Sequence, residues 1–212
     1  MKTIKISNGV NKITEEQVDS IVDYLKNGKV IAYPTDTIYG LGCDARNVKA
    51  IERIGKIKGE RENKPFIVLI SDFLMLENYC YVNSEQMEYL KEVWREPIPL
   101  TPLIKGAAKT PITVILECQP NLPDKLTGDS NSLAVRLPDN DFLVKIISQA
   151  GFPIVSTSLN KTGELPLHNV QNLEKYFKYL PDLVIDAGES ENTKPSRLVD
   201  LRDVNNIIVI RE

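Results

Sequence analysis

Residues 30–42 read VIAYPTDTIYGLG, an apolar strand candidate that runs into a proline, three hydroxyl side chains, a carboxylate and two glycines. Residues 154–160, IVSTSLN, repeat the pattern, because an apolar strand again ends in hydroxyls and an amide. Open α/β sheets place ligand contacts at the carboxyl ends of their strands. We therefore expect the ends of these two strands to converge on one crevice.

A cationic turn, KGERENKP at residues 58–65, precedes another strand candidate at 66–70. Between Asp44 and Lys64 there are seven Lys or Arg residues against four acids. Such a local positive surface suits a phosphate-bearing small molecule and would also allow a weak contact with an RNA backbone. The alternatives are ordinary ones: hydroxyl-rich turns often satisfy backbone groups, and lysine clusters often form a solvated face.

Length and composition favour one soluble α/β domain over residues 1–212. The chain has 212 residues, 42% hydrophobic and 26% charged, with a net charge of −3 and no apparent linker. No apolar run is long enough to cross a membrane and no signal peptide is visible, so the expected location is cytoplasmic. Three widely spaced cysteines and a single histidine predict neither a disulfide framework nor a metal site.

The periodicity predicts alternating helices and strands. Thr14 and Gln17 form a capping box for a first helix that ends at Gly28, and Asn47 is the expected cap of a second. Further helices are predicted at 84–94, 142–150 and 170–179, and strands at 112–116, 133–137, 154–157, 183–186, 198–201 and 207–210. This order implies a twisted mixed β-sheet with flanking helices rather than a purely parallel sheet.

Five motifs occur in one order along most of the chain: PTDTIYGLG at 34–42, KPF at 64–66, AVRLP at 134–138, STSLN at 156–160 and KPSRLVDL at 194–201. This order resembles the YrdC-type threonylcarbamoyl-adenylate synthases, over about residues 30–211. The resemblance implies a single-domain YrdC-like α/β fold with a concave, positively charged crevice.

The family's activity is implied by the same resemblance. These synthases are nucleotidyltransferases that join L-threonine, bicarbonate or CO2, and ATP into threonylcarbamoyl-AMP and pyrophosphate, for the t6A37 modification of tRNA. Mg²⁺ would be carried with ATP, and t6A-transferase proteins would act downstream. Adenylation needs cations and positioned hydroxyls but no covalent nucleophile, and this fits a chain without a Ser–His–Asp pattern.

The resemblance also assigns roles to residues. The expected catalytic residues are Lys58, Arg61 and Ser156. The expected contacts to threonine and its carbamoyl group are Thr35, Lys64, Arg136 and Ser156. The expected contacts to ATP are Lys58, Arg61, Thr113, Ser158, Asn160, Ser196 and Arg197, with Thr101 as an alternative to Thr113. We expect the phosphate-binding Lys58 to be exposed, with few packing contacts.

Structural roles compete with some of these assignments. Arg136 alternates with apolar neighbours on a strand, so a cross-strand ion pair is an equal alternative. For Ser156 and Ser158, the alternative role is only to cap the following turn. Asp36 and Tyr39 are expected to hold their loop, Trp94 to lie in the core, and Cys43 to be a small buried side chain.

The chain departs from the family pattern at three places. Glu60 occupies the position of the usual arginine in the cationic turn, with Arg61 one position later. Residues 98–110 form an inserted segment, interpreted either as a lid or as a surface loop. Leu159 replaces the usual alanine, as in the YciO-type paralogues. A YciO-type paralogue, and a non-catalytic RNA- or nucleotide-binding protein of the same fold, therefore remain the alternatives; a carbamoyl-transfer domain is a third.

Overall fold

The computed structural model describes residues 1–6, 13–59, 66–94, 111–127, 131–190 and 194–212. Ten strands and seven helices are present in these residues. The strands are β1 (Lys2–Lys5), β2 (Ile31–Tyr33), β3 (Gly40–Gly42), β4 (Ile67–Leu69), β5 (Ile112–Glu117), β6 (Ser132–Arg136), β7 (Ile154–Ser158), β8 (Leu183–Asp186), β9 (Arg197–Asp200) and β10 (Ile208–Arg211). The helices are α1 (Glu15–Lys26), α2 (Val48–Lys58), α3 (Phe73–Tyr79), α4 (Ser84–Trp94), α5 (Asp124–Thr127), α6 (Asp141–Ala150) and α7 (Leu173–Tyr176).

The strands form one mixed sheet in the order β1-β8-β2-β3-β7-β4-β6-β5-β9-β10. Strand β3 pairs antiparallel with both β2 and β7, so β2 and β7 run in the same direction and their carboxyl ends reach the same edge. Strand β4 is antiparallel to β7 and parallel to β6, so β6 runs the opposite way to β2. The prediction of a mixed sheet is confirmed.

Helix starts follow the caps that the sequence indicates. The Thr14 hydroxyl oxygen accepts a hydrogen bond from the Gln17 backbone amide, and the Gln17 side-chain oxygen accepts one from the Thr14 backbone amide. These two bonds form the capping box of α1. The Asn47 side chain accepts from the Ala50 amide at the start of α2. Helix α1 turns an apolar stripe of Val18, Ile21, Val22 and Leu25 towards the core and packs against α6.

The two faces of the central strands differ in burial. One registered row crosses β7, β4, β6, β5 and β9 through five valines, all buried: Val155, Val68, Val135, Val114 and Val199. The neighbouring row on the opposite face is only half-buried: Ser156, Ile67, Ala134, Ile115 and Asp200. Side chains alternate between faces along a strand, so the two rows lie on opposite faces of the sheet. We call the face of the half-buried row the open face; further along it, Leu69, Arg136 and Thr113 are buried.

Several elements differ from the sequence-based expectation. The helix expected at 170–179 is reduced to α7, because Asn172 adopts a left-handed backbone conformation (φ 55°) and Phe177 an extended one. Strands β1 and β3 and helices α3 and α5 were not predicted. No helix in the described part of the chain is both long enough and apolar enough to span a membrane.

Candidate active site

The loop between β2 and β3 is fixed by a directed chain of hydrogen bonds. The Thr35 hydroxyl donates to the Ile38 carbonyl at 2.8 Å and lies 2.8 Å from the Thr37 hydroxyl. A hydroxyl has one proton to donate, so Thr37 is the donor to Thr35. Arg136 then donates from its guanidinium to the Thr37 oxygen at 3.1 Å. The chain runs from Arg136 through both threonines to a backbone carbonyl.

Arg136 is buried and forms an ion pair with Asp36 of the same loop. Strands β3, β7 and β4 separate β2 from β6 in the sheet, so the loop after β2 must cross the open face to reach this guanidinium. The ion pair that the sequence left as an alternative is therefore present, although its partner comes from the loop rather than from a neighbouring strand. Asp36 also accepts from the Asp139 amide at 3.3 Å, and this contact adds to the hold on the loop.

The glycines of the motif make room for Tyr33, a site residue that the sequence did not single out. A Cβ on Gly42 would lie 2.7 Å from the Tyr33 ring and 2.5 Å from the Val155 carbonyl oxygen. A Cβ on Gly40 would lie 3.3 Å from the ring and 3.5 Å from the Ser156 hydroxyl. The ring thus lies over β3 beside Ser156. Burial raises the pKa of Tyr33 far above its ordinary value, so its hydroxyl is neutral at physiological pH.

Lys58 is buried, and the expectation of an exposed side chain is wrong. Only 4% of the residue is exposed. Its ammonium donates to the Ser158 carbonyl at 2.6 Å, to the Asn160 carbonyl at 3.0 Å and to the Asn160 side-chain oxygen at 2.7 Å. The backbone carbonyl of Lys58 accepts from the Thr162 amide at 2.9 Å. The end of α2 is in this way tied to the polar segment that follows β7.

The polar end of β7 is itself ordered by hydrogen bonds. The Ser158 hydroxyl donates to the Asn160 side-chain oxygen at 2.6 Å, and the Asn160 amide group donates to the Glu164 carbonyl at 2.5 Å. Leu159, the residue that differs from the family pattern, is fully buried. Its side chain therefore belongs to the core, whereas Ser158 and Asn160 on either side of it form the polar contacts.

A second polar cluster lies on the strands beyond β6. Thr113 and Ser196 are buried, and their hydroxyl oxygens lie 2.6 Å apart. Arg211 donates twice to the Ser196 carbonyl, at 3.0 and 2.6 Å, and is half-buried. Burial, with a contribution from the nearby positive charge of Arg136, lowers the pKa of Arg211. Arg211 pairs with Leu198, and Leu198 pairs with Thr113, so Arg211 projects on the same face as Thr113. The β-branched run at 207–210 was the signal for the strand that carries Arg211.

Arg197 is not brought together with this cluster. It pairs with Ile112 in the sheet, whereas Thr113 pairs with Leu198, so Arg197 points to the face opposite Ser196 and Thr113. Its guanidinium contacts the Glu212 carboxylate at 3.2 Å instead.

Three expected structural roles have clear counterparts in the fold. Tyr39 is buried, donates to the Gly188 carbonyl at 2.8 Å and accepts from the Ala187 amide at 3.0 Å. Trp94 is 8% exposed and donates its indole N–H to the Ile112 carbonyl. Cys43 is fully buried. These residues hold the framework around the site.

Some expected residues lie outside the described part of the chain. They are Glu60, Arg61 and Lys64 of the cationic turn, and Thr101 and the rest of the segment 98–110. The described residues contain no group of three or more His, Cys, Asp or Glu side chains arranged to hold a metal ion.

The arrangement presents a cation, hydroxyls and an amide from one face of a sheet, which is a chemistry suited to an anionic, hydrogen-bonding ligand. The sequence profile of the family described as "Telomere recombination", covering Sua5, YciO and YrdC proteins, matches residues 23–212. This chain belongs to that family.

Individual relatives agree with the family assignment. A threonylcarbamoyl-AMP synthase from Vibrio vulnificus is 31% identical over 186 residues, which cover 87% of this chain and 94% of that protein. The crystal structure of E. coli YciO is similar with a TM-score of 0.79 and 25% identity, over 100% of this chain and 94% of that one. The structure of Pyrococcus abyssi Sua5 complexed with L-threonine has a TM-score of 0.76 and 26% identity. That match covers 94% of this chain but about half (53%) of the P. abyssi chain.

Proposed function

We propose that this protein is an L-threonylcarbamoyladenylate synthase, a nucleotidyltransferase that forms threonylcarbamoyl-AMP and pyrophosphate from L-threonine, bicarbonate or CO2, and ATP. The proposal rests on one observation above all: Arg136, Thr37 and Thr35 form a single directed hydrogen-bond chain on the open face of the sheet. The names of the relatives, which are those of enzymes making this product, support the same assignment.

In the proposed reaction the neutral threonine amine attacks CO2 and loses a proton to solvent, which gives a carbamate. A carbamate oxygen then attacks the α-phosphorus of ATP, and the bond to the β-phosphate oxygen breaks to release pyrophosphate. The carbamate and ATP are both anions, so the protein must supply positive charge and hold the two reacting groups in line. No covalent intermediate with the protein is required.

Arg136 is the proposed contact for an anionic group of threonine or its carbamate. Its guanidinium is buried and oriented by Asp36 and Thr37, so little freedom is lost when a carboxylate binds. Thr35 and Ser156 complete this side of the proposed site, with Lys64. Ser156 projects from the half-buried row of the open face, beside the Tyr33 ring.

The nucleotide is proposed to bind between the end of β7 and the cluster beyond β6. Ser158 and Asn160 would face the phosphates. Lys58, which donates hydrogen bonds to both residues, would hold them in position and add positive charge. Arg61 is the proposed cation of the turn at 58–65. Ser196 and Thr113 would support Arg211, which we assign to the nucleotide in place of Arg197 because it lies on the correct face.

Mg²⁺ is proposed to enter with ATP. The product would be passed to t6A-transferase proteins for tRNA modification, in the cytoplasm. A weak contact between RNA and the basic residues of 46–64 belongs to the same proposal.

Pyrophosphate release from ATP tests the function directly. We expect release that requires both L-threonine and bicarbonate, with threonylcarbamoyl-AMP detected by mass spectrometry. Two results would refute the synthase and favour the YciO-type alternative. One is ATP turnover at the same rate with and without threonine; the other is the absence of turnover in a protein whose Tm the ligands raise. That alternative is supported by the full-length match to E. coli YciO. RNA binding without ATP turnover would instead favour the non-catalytic alternative.

Arg136→Lys tests the residue that anchors the proposal. Lysine keeps the charge but loses the forked geometry, so we expect kcat/KM for threonine to fall by about 10- to 100-fold. Arg202→Lys is the matched control, because Arg202 pairs with Asp200 at the exposed end of β9 and should leave turnover unchanged. Equal kcat/KM values for the two variants would show that Arg136 has no part in the reaction.

A further inference from the structure

Cys80 and Cys118 lie directly opposite each other in an isolated antiparallel β-bridge. Cys80 directly follows α3 as its C-cap, and Cys118 directly follows β5. The Tyr81 amide donates to the Glu117 carbonyl at 2.9 Å, and the Gln119 amide donates to the Tyr79 carbonyl at 2.9 Å. Bonds that flank a pair in this way mark the narrow, non-hydrogen-bonded type of antiparallel pair, whose side chains project on the same side.

This backbone geometry suits a disulfide. Opposite residues of the narrow type have Cα atoms about 4.5 Å apart, within the range of roughly 4.4–6.8 Å found in disulfides. Their Cβ atoms are typically about 4.5–5.5 Å apart, so an approach of roughly 1 Å would close the bond. Burial raises the pKa of both thiols, that of Cys80 to about 12, so the exchange is favoured by alkaline pH.

Side-chain contacts hold the two segments together on either side of the pair. The Gln119 side chain donates to the Glu77 carbonyl at 2.6 Å, and the Asn121 side chain donates to the Asn78 carbonyl at 2.5 Å. The residues after β5 are therefore clamped onto the last turn of α3. Such preorganisation reduces the movement that a cross-link would require.

We propose that Cys80 and Cys118 are a site of reversible oxidation, at which thiol–disulfide exchange with a small disulfide such as oxidised glutathione forms a cross-strand disulfide. Neither the family assignment nor the proposed function requires this site. The sequence pointed away from it, because the spacing of the two cysteines indicates no known framework and only the bridge shows that they are opposed.

The order of the exchange follows from exposure. Cys118 is half-buried, whereas Cys80 is 2% exposed, so Cys118 meets the oxidant first. Its thiolate attacks one sulfur of oxidised glutathione, which forms a mixed disulfide and releases one glutathione thiolate. The Cys80 thiolate then attacks the Cys118 sulfur and releases the second glutathione thiolate. The two cysteine protons pass to the two glutathiones, so one disulfide is reduced as the other forms.

The consequence is a covalent tie between the end of α3 and the end of β5. It closes the chain between residues 80 and 118, which restricts the unfolded state more than the folded one. For a loop of this length in a chain of this size, the expected rise in Tm is roughly 5–15 °C.

The experiment incubates the folded protein with oxidised glutathione, then counts thiols after denaturation and maps disulfides by peptide mass spectrometry. We expect the wild type to fall from three thiols to one and to yield a single Cys80–Cys118 peptide pair, with the higher Tm reversed by dithiothreitol. Cys118→Ser, at the more exposed position, should form no protein disulfide and show no gain in Tm. Cys43→Ala is the matched control, because Cys43 is buried and lies elsewhere, and this variant should oxidise as the wild type does.

Three results would overturn the proposal. The first is retention of all three thiols by the folded wild type after prolonged oxidation. The second is a stable mixed disulfide of Cys118 with glutathione that never closes onto Cys80. The third is a disulfide that involves Cys43 or joins two copies of the chain. Because Cys118→Ser alters a half-exposed side chain, its folding can be verified by circular dichroism before oxidation.

Discussion

Replacing Lys58 by methionine should destabilise the protein substantially, because the ammonium is buried and donates to three oxygen atoms. Methionine keeps most of the apolar stem and removes the donors. The Ser158 carbonyl keeps the Asn160 amide as a donor, and the Asn160 side-chain oxygen keeps the Ser158 hydroxyl. The Asn160 carbonyl loses the donor that Lys58 supplies. The substitution therefore leaves two acceptors with one donor fewer and the third, the Asn160 carbonyl, without its Lys58 donor.

The magnitude follows from these three losses. A buried carbonyl left without a donor costs about 1–3 kcal/mol, and each weakened acceptor costs about 0.5–1.5 kcal/mol. Removing a buried ammonium offsets part of this sum, because its desolvation is relieved. We expect a net loss of about 2–4 kcal/mol in the free energy of unfolding.

Urea denaturation measures this loss, with far-UV circular dichroism and the fluorescence of Trp94 as probes. Trp94 is the single tryptophan of the chain and is buried, so its emission reports on the core. Lys56→Met is the matched control, because Lys56 is exposed in the same last turn of α2, and it should change stability by no more than about 0.5 kcal/mol. Equal midpoints and slopes for the two variants would refute the buried role of Lys58.

Two further predictions concern the glycines and the cationic turn. Gly42→Ala should lower the free energy of unfolding in urea by about 2–4 kcal/mol, because the new Cβ would lie 2.5 Å from the Val155 carbonyl oxygen. Gly55→Ala, whose Cβ would meet no atom of another segment within 4 Å, should be neutral or stabilising. Similar losses for both variants would contradict the packing argument. In the turn, Arg61→Ala should raise the KM for ATP. Glu60→Arg should leave this KM unchanged or lower it, because a cation replaces a negative charge near the proposed phosphate site. The reverse ranking in steady-state kinetics would show that Arg61 does not substitute for the usual arginine.

Local signals made much of the fold predictable from the sequence. The caps at Thr14 and Asn47 act within three or four residues, so the starts of α1 and α2 could be located without knowledge of the rest of the chain. The strands β5 to β10 were predicted to within a residue or two for the same reason, because their short apolar runs are local patterns. The prediction of a helix at 170–179 was wrong in its length, because the left-handed conformation of Asn172 interrupts an otherwise helical pattern.

The parts that could not be predicted depend on contacts between distant segments. Strand β3 consists of Gly40, Leu41 and Gly42, a composition with low strand propensity, and it forms because it pairs with β2 and β7 while the Tyr33 ring lies over its glycines. The burial of Lys58 likewise depends on carbonyls a hundred positions later in the chain. Charge and spacing in the sequence carry no information about such partners.

The strand order has a consequence for the way the molecule must assemble. Strand β7 lies between β3 and β4, and β8 lies between β1 and β2, so late segments are inserted between early ones. Hairpins formed by neighbouring strands cannot build this sheet step by step, and long loops must close before the central pairings form. Newly synthesised chain therefore cannot complete the open face until β7 and β10 have been made. A truncated copy would lack Ser158 or Arg211, and a half-folded copy would not hold them in position. A ligand of this face therefore binds the folded molecule preferentially and, by mass action, enriches it.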